Sequence, residues 1–241
     1  METAGMLRDK VAAISGAAGG LGPVVARAFL DAGATLAVSG RSNERLAELL
    51  ETLPGSSGRV HPAAVDLTDE SAARAWADDI VRKLGRVDIV VHLVGGYRGG
   101  SPIGQIATAD WEFLHDGLVR TTLNVVRAFV GPLTSHGWGR FLAVTSPKSQ
   151  APTGKNALYA MAKAASDALV LALASELAGS GATANLIMVD SIETPGADAG
   201  AARKPYGKLT PGREIAAAML FLCSDEAATI NGVRLPLIGR G

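Results

Sequence analysis

One cysteine, Cys223, stands in 241 residues. A lone thiol cannot close an intramolecular disulfide and supplies no cysteine cluster for zinc, so neither a disulfide framework nor a metal site is expected, and a reducing compartment, most simply the cytoplasm, is. An excess of one charge is missing as well: Lys plus Arg and Asp plus Glu both number 23. Without a basic surplus to displace counterions from a phosphate backbone, nucleic acid is not an expected partner. Long apolar runs are also lacking. The one stretch that imitates a targeting segment, Val11 to Ala26, is 16 uncharged residues long and is broken by Gly16, Gly19, Gly20, Gly22 and Pro23. A membrane span wants roughly 18 or more apolar residues, and these glycines spoil a signal-peptide core. No membrane contact is expected.

What is present is enough apolar material, 48% of residues, to fill one sizeable core in a single domain. Apolar runs of strand length alternate with segments of helical periodicity, the pattern of repeated strand-helix-strand units and a parallel sheet. The strand-like runs are Val11 to Ser15, Thr35 to Ser39, Arg59 to Val65, Ile89 to Val94, Arg140 to Thr145, Thr183 to Val189 and Arg234 to Leu237. Helical spacing is found in Pro23 to Ala32, Asn43 to Leu53, Ser71 to Leu84, Trp111 to Phe129, Ala157 to Ala178 and Pro211 to Leu222. Thr68 and Thr210 stand where an N-cap oxygen belongs, with Pro211 in a first helical turn. Thr194 to Thr210, rich in Gly, Ala and Pro, reads as a substrate lid.

The first strand runs into Ser15-Gly16-Ala17-Ala18-Gly19-Gly20-Leu21-Gly22 and then a helix. Glycines there let the backbone approach a pyrophosphate, whose charge the helix N-terminus can hold, although a tight turn without a ligand reads the same way. Further on, Tyr159 and Lys163 stand four apart on one helical face. A phenol near ~10 is a poor acid or base at neutral pH unless a cation stabilises its anion, and Lys163 is placed to supply one. Ser146, 13 positions earlier at a strand end, can hydrogen-bond a substrate oxygen beside the phenol. Each feature alone also fits an ordinary surface pair or strand-end serine.

Together, the G-x-x-x-G-x-G turn of Gly16, Gly20 and Gly22, the Y-x-x-x-K pair and the upstream serine resemble the short-chain dehydrogenase/reductase family over essentially the whole chain. The resemblance implies a Rossmann-type doubly wound parallel sheet of about seven strands with helices on both faces. It implies catalysis by Ser146, Tyr159 and Lys163, with Lys163 also on the nicotinamide ribose. It implies a dinucleotide held around Ser15, Gly16, Ala18, Gly20, Leu21, Gly22, Arg41, Asp66, Leu67, Gly95, Ile192 and Thr194. Asp66 would accept from the adenine amino group, though it also reads as a turn or capping aspartate, and Ile192 to Thr194 would meet the carboxamide. Gly40 lies where an acid would bind the ribose hydroxyls of NAD, and Arg41 follows, suited to a 2′-phosphate. NADP(H) is therefore expected over NAD(H). The substrate would be a small carbonyl compound or alcohol, and the protein a homo-oligomer, tetramer or dimer, assembled through Trp111 to Phe129 and Ala157 to Ala178.

Three positions depart from the family pattern. His92-Leu93-Val94-Gly95 replaces N-N-A-G, Leu118 falls where an asparagine holds a water of the proton relay, and Val189-Asp190 replaces P-G. Two readings follow: a carbonyl reductase whose relay is rerouted, or non-redox chemistry such as elimination, epimerisation or cyclisation on the same site. A nucleotide-binding protein without turnover is a third. Arg98 and Lys148 border the site either as anchors for an acidic substrate or as solvated loop cations, the reading that exposure of long charged side chains favours. Trp111, Trp138 and His92 read as packing residues.

Overall fold

The computed structural model of the protein describes residues 4–193 and 209–238. In chain order its elements are β1 (Val11–Ser15), α1 (Gly22–Asp31), β2 (Thr35–Gly40), α2 (Asn43–Glu51), β3 (Val60–Ala64), α3 (Glu70–Leu84) and β4 (Ile89–His92), then α4 (Thr108–Leu114), α5 (Thr121–Thr134), β5 (Gly139–Thr145), α6 (Ala157–Glu176) and β6 (Ala182–Val189), and finally β7 (Ser191–Glu193), β8 (Leu209–Pro211), α7 (Gly212–Leu222) and β9 (Arg234–Leu237). Seven strands form one parallel sheet in the order β3-β2-β1-β4-β5-β6-β9. The order reverses between β1 and β4, and a crevice outside the carboxyl ends of those strands follows from that reversal.

Strands β1, β4 and β6 are buried at every residue, which is why they read as unbroken apolar runs. Their alternation sorts side chains to two cores. Ala12 and Ile14 meet Val25 and Phe29 of α1 and Met219 of α7 on one face. Val11 and Ala13 meet Trp76 of α3, Phe129 of α5 and Val170 of α6 on the other. Trp76 and Phe129 pack edge to face with centroids 5.1 Å apart, a geometry the aromatic quadrupoles favour. Trp138 also packs, between the Lys10 ammonium and the Arg140 guanidinium at 4.0 and 4.2 Å from its ring centre. At one edge of the sheet, β3 carries Pro62 in its interior.

Four local expectations are corrected. Asp69, not Thr68, caps α3: its Oδ1 accepts from the backbone N–H groups of Ser71 and Ala72 at 2.8 and 3.4 Å, while Thr68 turns its hydroxyl to Asp66. Thr210 caps nothing, because its hydroxyl donates to the Leu237 carbonyl at 2.6 Å. Pro211 ends β8 and occupies the cap position, so α7 starts at Gly212. The helix expected over Trp111 to Phe129 is interrupted by a π-helical segment, His115–Arg120. The hydroxyls of Thr121 and Thr122 bond back to the carbonyls of Gly117 and Leu118, a contact that bends helices. Of the expected lid, residues 194–208 lie outside the described residues; Leu209 and Thr210 belong to β8, which pairs with β7.

Candidate active site

The glycine turn after β1 is shaped by two close approaches. Gly16 has φ +73°, and a Cβ there would lie 2.8 Å from the Val94 nitrogen; at Gly22 it would lie 1.8 Å from the Ala17 carbonyl oxygen. Only glycine fits either place. Leu21 stands at the cap of α1 without a side-chain cap; Gly22 gives its N–H to the Gly19 carbonyl at 3.0 Å and Pro23 has none, so an anion at this end would meet the positive end of the helix dipole. Gly20 is exposed, whereas Leu21 and Gly22 are buried beneath the turn. Ser15 is fully buried, and its hydroxyl meets His92 Nδ1 at 2.7 Å. The two are register partners on β1 and β4, so this bond ties together the strand ends where the family's amides are missing.

A cleft of about 680 Å³ opens at the crossover of β1 and β4. It gathers Gly16, Ala18, Arg41, Asp66, Leu67 and Gly95 from the expected set. Arg45 lines it too; the sequence reading missed it, although a second arginine four residues after Arg41, in the first turn of the helix expected from Asn43, was a usable signal. Ser42 caps α2 by accepting from the Arg45 N–H at 3.3 Å. On the opposite side, Asp66 Oδ1 accepts from the Thr68 N–H and hydroxyl at 2.9 and 2.7 Å. Asn124 of α5 donates to the carbonyls of Leu67 and Thr68 at 2.9 and 3.1 Å, fixing the loop that forms this wall. Phe113, Asp116 and Leu118 close the third side.

Ser146, Tyr159 and Lys163 lie together beyond this cleft, Ser146 after β5 and the other two on α6. Ser146 is 2% exposed, and its hydroxyl accepts from the Lys148 N–H at 3.4 Å. Burial raises the Tyr159 phenol above its ordinary value, outweighing the downward pull of the nearby Ser146 hydroxyl, with Tyr97, Asp167 and Asp190 adding to the rise. The Tyr97 ring meets Tyr159 edge to face at 5.0 Å. Lys163 donates to the Val144 carbonyl at 2.9 Å, and burial brings its ammonium down to about 8 against the pull of Asp167. Lys163 is not among the groups that shift the phenol.

Both neighbouring cations are engaged. Lys148 pairs with Asp190 at 2.5 Å; Arg98 lies 3.9 Å from Asp110 and over the Phe113 ring. Ile192 sits on β7, opposite Thr210. Thr194 lies outside the described residues. Leu118 is buried in the π-helical segment, and His92 is 4% exposed at the end of β4.

Comparison with known proteins agrees with this architecture. The family model described as Enoyl-(Acyl carrier protein) reductase matches residues 16–237. A short chain dehydrogenase of Pseudocercospora fijiensis is 30% identical over 191 residues, 79% of this chain and 62% of that one. The 3-oxoacyl-(acyl-carrier-protein) reductase FabG of Thermotoga maritima is 28% identical over 234 residues, 94% of this chain and 95% of that one. The crystal structure of levodione reductase superposes with a TM-score of 0.88 at 23% identity, covering 97% of both chains. The fold and site thus define a nucleotide-dependent oxidoreductase class, and the chain belongs to the short-chain dehydrogenase/reductase family.

Proposed function

We propose that the protein is an NADP(H)-dependent reductase of ketones, reversible toward secondary alcohols. The observation that carries this reading is the Ser146 hydroxyl set near the Tyr159 phenol beside the nucleotide cleft, with Lys163 one helical turn along. The residues present suit the dinucleotide: a turn that only glycine can make, an uncapped helix start and two arginines at the rim. Gly16, Ala18 and the start of α1 would hold the pyrophosphate, Arg41 and Arg45 the 2′-phosphate, and Asp66 and Leu67 the adenine end. When bound, the nicotinamide supplies hydride chemistry. The protein's own part is to orient the carbonyl through the Ser146 hydroxyl and to give its oxygen a proton from Tyr159. A phenol kept protonated by burial suits the reducing direction.

Tyr159→Phe removes that proton and leaves the cleft untouched. NADPH affinity, read by nicotinamide fluorescence, should stay within about twofold, while turnover of a ketone panel should fall by about 10² or more. A fully active variant overturns the assignment.

We infer also that copies of the chain associate through α5 and α6. Met161, Ala165, Ala168 and Ala172 form an exposed stripe of α6, beside exposed Leu123 on α5, and small residues on such a stripe allow close helix packing. Leu173, next to Ala172 in the chain, turns the other way into the core.

A further inference from the structure

Behind Lys163 lies a second, closed cavity of about 10 Å³, bordered by His92, Leu118, Ser166 and Asp167. That volume admits a single water. Two side chains on its border, His92 at 4% exposure and Asp167 at 1%, each carry a buried polar atom without a hydrogen-bond partner among the described residues: His92 Nε2 and Asp167 Oδ1. Groups of this kind are costly to leave unsatisfied, by about 1–3 kcal/mol each.

The other polar atoms nearby are already committed. The Leu118 carbonyl accepts the Thr122 hydroxyl at 2.5 Å and shares the single Ser166 hydroxyl proton, at 2.9 Å, with the Ala162 carbonyl at 3.0 Å. His92 Nδ1 is held by Ser15. Asp167 Oδ2 accepts from the Ser149 hydroxyl at 2.8 Å and from Arg234 Nε at 3.0 Å. Lys163 gives one N–H to the Val144 carbonyl and has two left. Ser149 is partly exposed, so a path runs from the cavity through Asp167 to solvent.

We propose that one water bridges Lys163 Nζ, Asp167 Oδ1 and His92 Nε2, and that Asp167 and Ser149 return to Lys163, through this water, the proton it passes toward Tyr159. The proposal rests on the assignment of Tyr159 as the proton donor. In each turnover the phenol protonates the substrate oxygen and recovers a proton from the lysine side. The water then gives a proton to the neutral amine and recovers one from the Asp167 carboxyl, which takes it on Oδ2 from the Ser149 hydroxyl, turns to present it to the water, and leaves Ser149 to be reprotonated from bulk solvent. No group ends the cycle changed. His92 is a positioning residue: burial and the Lys163 charge keep its imidazole neutral down to about 3, so it holds the water without competing for the proton. The charged and titratable groups around the lysine are Asp167 and Tyr159 on α6 and His92 on β4, with Lys148 and Asp190 paired beside the phenol.

The test follows the Lys163 ammonium directly, by the pH dependence of its Cε signal in protein labelled with ¹³C-lysine. In the native protein its midpoint should lie at about 8. In Asp167→Asn it should fall by about one unit, because an attracting charge is removed. In Ser149→Ala the midpoint should hold while kcat on the ketone panel drops severalfold at unchanged KM. A midpoint unmoved in folded, NADPH-binding Asp167→Asn overturns the proposal, as does full kcat in Ser149→Ala or a dry cavity in a high-resolution crystal structure. Should Asp167→Asn unfold because Arg234 loses its partner, Ser149→Ala decides alone. If the native protein reduces no ketone, the reading of its function fails, while the lysine midpoint and the crystal structure still decide the water.

Discussion

Gly40 sets the terms on which Arg41 meets a nucleotide. A Cβ at Gly40 would come within 3.2 Å of the Ala18 Cβ, so the position where an acid would repel a 2′-phosphate is crowded by the glycine turn itself. Arg41 and Arg45 both line the cleft, while Glu44, the carboxylate between them on the chain, is not part of the lining and takes the Ser42 hydroxyl. Charge-assisted bonds of this kind are worth about 1.5–3 kcal/mol. Arg41→Ala should therefore weaken NADPH by about tenfold or more and NADH hardly at all, in parallel fluorescence titrations. Equal losses for both would make Arg41 a structural residue. His92 makes a different prediction, for stability. Its folded value is depressed to about 3 from an ordinary 6.5, so between those limits the unfolded chain binds a proton that the folded chain refuses. Stability is full above about 6.5 and falls on acidification. The loss between pH 6.5 and 5 should be about 2 kcal/mol, and His92→Asn should flatten that slope in urea unfolding curves.

At the scale of elements, caps give the sharpest contrast between neighbours. Asp69→Ala should cost about 1 kcal/mol of unfolding free energy, whereas Thr68→Ala, one residue earlier, removes only a bond to Asp66 and should cost less. Chemical denaturation of the two variants separates them. From sequence the two oxygen-bearing side chains compete equally for the cap, and only the path of the chain chooses. The seven sheet strands were legible to within two residues, the central ones because burial on both faces writes itself as runs rich in Val, Ile, Leu and Ala, although the edge strands β3 and β9 have no fully buried residue. The break at His115–Arg120 was not: Trp111 to Phe129 keeps helical spacing throughout, and the distortion comes from where Leu118 and Thr122 must fit. The catalytic spacing of Tyr159 and Lys163 was local and readable. Their coupling to His92 and Asp167 was not, since it depends on β4 being laid beside β5 and under α6.

For the whole molecule, the nucleotide cleft is a product of strand order. No single segment encodes it; Arg41, Asp66 and Gly95 become neighbours only because β2 and β4 flank β1 and β3 lies against β2. The exposed stripe of α6 is likewise a property of the surface, with Met161, Ala165, Ala168 and Ala172 outward while Leu169 and Leu173 pack toward the core. Sedimentation velocity should show a dimer or tetramer at micromolar concentration, and Ala168→Arg should shift it toward monomer with little change in melting temperature. A native protein that sediments as a monomer would remove this surface from consideration.

Pro62 constrains how such copies can meet. Val65 donates its N–H inward to the Gly40 carbonyl, so alternation along β3 turns the Pro62 nitrogen to the open edge of the sheet. That edge offers no donor in the middle of its ladder. A second copy cannot continue the sheet there strand upon strand, which denies the molecule the simplest route to open-ended fibres and leaves growth to surfaces that close on themselves.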